Sequence, residues 1–213
     1  MATFDARQMQ SLTGLQATAR TFLMVGFTVV ETVALGLWLA LVQGAPVISR
    51  PAAIGLGVLT VGLVVEHVLT DATVNGLSFS FPLARIVGIS VSEALLWAVW
   101  LGIADRLGGV DGILVAGAVL SVLLVPQHSV EDNILRGEAP LSNVVNLNTI
   151  GFSLVEGIGA TVWLLLVFEG QQFAGLLATL GFGGVDPAAV GLAALGIFLL
   201  VEHDIGVTLA RQG

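Results

Sequence analysis

Three glutamates and three histidines stand at recurring positions inside apolar stretches: Glu31, Glu93 and Glu156, then His67, His128 and His203. Carboxylate oxygen and imidazole nitrogen together suit transition metals such as Zn, Mn, Fe or Co better than Ca or Mg. Glu66 and Glu202 directly precede two of the histidines, and Gln127 occupies the same place before the third. These eight ionisable groups are the candidate metal ligands.

Each glutamate sits in the same short text. Gly26-Phe27-Thr28-Val29-Val30-Glu31 precedes Trp38-Leu39, Gly88-Ile89-Ser90-Val91-Ser92-Glu93 precedes Trp100-Leu101, and Gly151-Phe152-Ser153-Leu154-Val155-Glu156 precedes Trp163-Leu164. The glutamates are 62 and 63 residues apart. The histidines repeat as Leu63-Val64-Val65-Glu66-His67, Leu124-Val125-Pro126-Gln127-His128 and Leu200-Val201-Glu202-His203. Asp71 and Asp132 follow the first two histidines by four residues, on the same helical face. In the third copy that position is Val207, and the nearby acid is Asp204.

The elements that must carry these residues are membrane helices. Of 213 residues, 56% are hydrophobic and 10% charged, with mean hydropathy +0.99, the range of polytopic membrane proteins. Six apolar stretches, near 20–43, 52–75, 85–104, 110–135, 147–168 and 187–210, are each long enough to cross at roughly 20 residues per span. The alternating strands of a closed barrel are missing, so the spans are helical. The expected fold is an all-α integral membrane protein: six transmembrane helices built as three tandem two-helix repeats (approximately 20–76, 85–137 and 147–213) around a pseudo-threefold axis. Residues 1–19 read as a cytoplasmic tail, with Phe4, Leu12 and Leu15 offering at most a weak interfacial helix; 20–213 form a single membrane domain. The run Phe173 to Phe182 is too short to cross and reads as an interfacial or re-entrant piece. In plan, three two-helix repeats resemble the mitochondrial carriers, but those carriers' Pro-x-Asp/Glu-x-x-Lys/Arg signature is missing and the repeats are shorter, so the resemblance implies no membership.

Antiparallel helices bring the ionisable groups to one depth. At about 1.5 Å per residue, all of them fall roughly 12–17 Å from one membrane boundary. Arg7, Arg20, Arg85, Arg136 and Arg211 lie on that side and Arg50 and Arg106 on the other, so both termini are expected in the cytoplasm, in a cell membrane. Thr28, Ser90 and Ser153, one turn from the glutamates, are placed to hydrogen-bond them. Asp71, Glu131, Asp132 and Asp204 would form an acidic vestibule nearer the boundary.

Burying one ionisable group at this depth costs roughly 2.5 kcal/mol or more, so eight of them call for a purpose. Three readings stand: one or two transition-metal ions held for divalent cation or proton translocation; a membrane metalloenzyme or redox subunit, with haem an alternative cofactor on facing histidines; or a Glu–His lock between helices. The chain has no cysteine and no lysine, which excludes disulfides, thiolate chemistry and Schiff bases. It carries net charge −8 and no basic stripe, so nucleic acid is not an expected partner. The lipid bilayer is, and a homo-oligomer or a partner membrane subunit is compatible with the composition. Trp38, Trp100 and Trp163 are expected in an interfacial aromatic belt, Gly26, Gly88 and Gly151 at close helix contacts, and Pro126 at a bend just before His128.

Overall fold

A computed structural model describes residues 6–46, 48–76 and 82–211, with side chains from residue 18 onward. It is all-helical. The helices are α1 (Ala6–Val42), α2 (Arg50–Asn75), α3 (Leu83–Leu107), α4 (Gly109–Leu135), α5 (Ile150–Phe168), α6 (Ala174–Thr179) and α7 (Pro187–Ala210). Six of them are long and apolar enough to cross a membrane; α6 is not. The run Phe173 to Phe182 starts at the end of a 3₁₀ turn, Gly170–Phe173, and contains α6. Helix α1 begins at Ala6, so residues 6–17 are helical and run unbroken into the first span, Thr18–Val42. Phe4 lies outside the described residues, as do 77–81 between α2 and α3.

Local chemistry sets the boundaries. Ser49 accepts a hydrogen bond from the Ala52 amide and Pro51 fills the first turn of α2. Asp186 and Pro187 do the same for α7 through the Ala188 amide. Gly76 and Gly108, at φ 83° and 71°, end α2 and α3 in a conformation that costs other residues strain. Pro126 lies inside α4, which runs unbroken from Gly109 to Leu135.

Chain neighbours pack side by side in the order α1, α2, α3, α4, α5, α7, and α7 closes back on α1. Small residues let the helices approach. A methyl group added at Gly62 would collide with Ala34, one at Gly117 with Thr161, and one at Gly157 with Ser121. Gly26, Gly88 and Gly151 do not serve this purpose, contrary to expectation. All three are exposed and nothing lies within 4 Å of an added methyl. The cause is phase: five residues at about 100° each place the glycine about 140° around the helix from its inward-facing glutamate.

The tryptophans also depart from expectation. Trp38, Trp100 and Trp163 are 1–2% exposed and therefore form no belt. They fall seven residues after the glutamates, nearly two full turns, which returns them to the inner face. With Trp97 they join the apolar core, where Trp100 stacks on Trp163 (6.1 Å, 23°) and meets Trp97 edge-on (5.2 Å).

The core is divided by depth. In α1, α3 and α5 its members begin after the glutamate, at Ala34, Ala94 and Ala160. In α2, α4 and α7 they stop before the histidine, at Leu63, Leu124 and Leu199. One half of the bundle is thus predominantly aromatic and aliphatic. The other, on the side where Arg20 and Arg211 meet in one recess, holds the ionisable level; this is called the terminal face below.

Candidate metal centre

The helices deliver all eight predicted ligands to the interior. Glu31, Glu66, His67, Glu93, His128, Glu156, Glu202 and His203 are all buried. Each histidine faces a glutamate of a neighbouring helix: His128 Nε2 to Glu156 Oε2 at 3.0 Å, His203 Nε2 to Glu31 Oε2 at 3.2 Å, and His67 Nε2 to Glu93 Oε2 at 3.5 Å. Three further acids join. Glu202 lies 3.3 Å from His203 Nε2 and 3.9 Å from His128 Nε2. Glu66 lies 3.8 Å from His203 Nε2, and Glu131 3.9 Å from His67 Nε2.

The hydroxyls expected to bond the glutamates touch the histidines instead, because the imidazole of the adjacent helix reaches them. Nδ1 of His203, His67 and His128 lies 2.8, 3.2 and 2.8 Å from the hydroxyls of Thr28, Ser90 and Ser153. Each hydroxyl has one proton, and each donates it to the backbone carbonyl four residues earlier: Met24, Ile86 and Thr149. What remains is an acceptor, so Nδ1 carries the imidazole hydrogen. At His67 the Leu63 carbonyl, 2.8 Å from Nδ1, enforces the same assignment. Nε2 is then the ring's second nitrogen, aimed at carboxylates. A bare lone pair facing an ionised carboxylate repels it, so each Nε2–Glu pair requires a shared proton or a cation. A buried N–H partner that fixes the ring is also what histidines bound to metals possess.

Two observations test the fit to a metal. Among the described residues, Glu31 Oε2 and Glu156 Oε1 are buried with no hydrogen-bond partner, a rare condition that a bound cation would relieve. Glu31 Oε2 is near His203 Nε2, but not in hydrogen-bonding alignment. The spacing also fits: two ligands of one ion, each about 2.1 Å from it, stand about 3.0–3.4 Å apart, and the three shortest of these Nε2–carboxylate separations, 3.0, 3.2 and 3.3 Å, lie in that range. Two ligand groups are close enough to hold an ion, with donor atoms all within 4.8 Å of one another: Glu31, Glu93 and Glu156, and His128, Glu156 and Glu202.

The remaining predicted residues are placed individually. Glu131 and Asp132 line a cavity of about 30 Å³ that also touches His128, Glu202, His203, Thr149 and Arg136; that volume admits water. Asp132 pairs with Arg136 at 2.9 Å, and Arg136 also donates to the Leu209 carbonyl of α7. Asp71 accepts from Asn75 at 2.9 Å, away from the level. Asp204 is exposed and lines the separate recess with Arg20 and Arg211. Gln127 turns to α3, donating to the Ile89 carbonyl at 3.0 Å.

Two residues that the repeat pattern passes over also belong to the level. Thr70 donates to Glu66 at 2.6 Å, and Trp97 Nε1 reaches Glu93 at 3.4 Å. Each follows its glutamate by four residues, the spacing of helical neighbours, and that spacing was the available signal.

Compared with protein-family models, with curated proteins and with solved structures, the chain shows no significant match.

Proposed function

We propose that this protein binds one or two transition-metal ions inside the membrane through Glu31, Glu93, Glu156, Glu66, Glu202, His67, His128 and His203, and serves the translocation of divalent cations or protons. The observation that carries the reading is the convergence of buried carboxylates on Nε2 atoms whose other ring nitrogen is already committed. Zn, Mn and Fe match the donor set. The cavity on the terminal face supplies an entrance, and the tryptophan half of the core is a seal. A site open to one face and sealed from the other is the arrangement of an alternating-access carrier in one end state. The three hydroxyl–His–Glu contacts are read as one unit used three times about a pseudo-threefold axis, with both termini cytoplasmic.

The same seal favours a second reading, a metalloenzyme or redox subunit whose substrate enters and leaves by the cavity. Metal analysis and flux together separate the readings. Protein purified without added ions should contain stoichiometric metal that disappears from the Glu31→Gln/Glu93→Gln/Glu156→Gln variant. Proteoliposomes should then accumulate that cation. Bound metal without flux supports the enzyme; no metal in either protein leaves proton conduction or a helix lock.

A further inference from the structure

We infer that Glu156 bridges two inequivalent metal positions, making the centre a dinuclear one for ions of the Mn²⁺ and Fe²⁺ class. This rests on the reading of the level as a metal site. Glu156 is the one residue common to both ligand groups. Its two oxygens have different surroundings: Oε2 lies 3.0 Å from His128 Nε2, while Oε1 is buried without a partner. A carboxylate serving two positions needs that division, and bridging carboxylates join metal pairs in soluble helical bundles.

Charge supports the count. The two groups contain four different carboxylates, Glu31, Glu93, Glu156 and Glu202, and one histidine. Glu66 and Glu131 add two more carboxylates to the level. Two dications offset four of these six negative charges and one dication only two, among buried residues that include no arginine and, in a chain without lysine, no ammonium. Uncompensated buried charge is strongly disfavoured.

The positions differ in chemistry and access. The inner one, Glu31, Glu93 and Glu156, offers oxygen alone. The outer one, His128, Glu156 and Glu202, adds a nitrogen. Oxygen-only sites suit Mg, Ca and Mn, and imidazole suits Zn, Cu, Fe and Ni; Mn²⁺ matches the inner position and Fe²⁺ the outer one, whose two carboxylates also accept Mn²⁺. His128 and Glu202 line the cavity, and the three inner carboxylates do not. The outer ion therefore exchanges with the terminal face before the inner one.

Metal-free protein in detergent, titrated with MnCl₂ and followed by elemental analysis and electron paramagnetic resonance, tests this. Two Mn²⁺ per chain with an exchange-coupled spectrum are expected. E202Q, which places at 202 the residue already present at 127, should retain one Mn²⁺ with the ordinary six-line spectrum, and E156Q should lose the coupling. Two uncoupled ions, or one ion, in the unaltered protein would overturn the bridge while leaving the metal site intact. No bound Mn²⁺, Zn²⁺ or Fe²⁺ would overturn both.

Discussion

Ser153 holds His128 by its Nδ1 nitrogen, 2.8 Å from the hydroxyl, and by doing so turns Nε2 toward Glu156 3.0 Å away. The Ser153 proton is given to the Thr149 carbonyl, so the side chain is an acceptor for the ring and nothing else. S153A should lower metal affinity by about 10–100-fold, the usual effect of losing such a partner. S153T, which restores a hydroxyl as at Thr28, should recover most of it. Competition against a chelating dye measures both.

At residue 127 the repeat pattern and the geometry make opposite predictions. By the pattern, Q127E restores the acid found at 66 and 202. By the geometry it replaces an amide that donates to the Ile89 carbonyl with a group that, ionised, donates nothing and adds charge to a crowded layer. Q127E should destabilise the protein, by about 1–3 kcal/mol for the unmet buried group. Melting temperature by scanning fluorimetry in detergent reads it.

Glycine substitutions should divide by face. G157A drives a methyl into Ser121 where α4 and α5 touch, and overpacking of this kind costs about 1–3 kcal/mol. G151A, six residues earlier in the same helix, meets nothing within 4 Å. It should melt at or above the unaltered temperature, since alanine favours helix over glycine by about 1 kcal/mol.

Trp100 is wholly buried, and its Nε1 lacks a hydrogen-bond partner. W100A should cost about 3–5 kcal/mol through the void it leaves. W100F removes the orphaned donor while keeping a ring against Trp163, and should cost clearly less. Both should bind metal in nearly the unaltered amount, because Trp100 reaches the level only through Trp97, whose Nε1 donates to Glu93. Thermal melts paired with metal counts test the two statements together.

The helices and the level were legible because they depend on length and depth. Six apolar stretches of spanning length have few alternatives in lipid, and depth follows from counting residues. Direction around a helix was the harder quantity. Trp100 and Gly88 sit at depths that suit a belt and a helix contact, but the first faces inward and the second outward, and only their angle from Glu93 reveals it. Gln127 shows a different limit. Its alignment with Glu66 and Glu202 says nothing of its attachment to Ile89, because the partner lies on another helix, 38 residues away.

The unequal halves of the core have a mechanical consequence. Interlocked aromatic rings at one end make a stiff clamp, while hydrogen bonds and a small cavity at the other make a looser one. Such a bundle should breathe like a pair of tongs, hinged at Trp100 and Trp163, with its widest excursions beside Arg136 and Leu209. Amide protons near Leu135 and Leu209 should then exchange sooner than those near Leu120 and Leu195, which lie against the clamp.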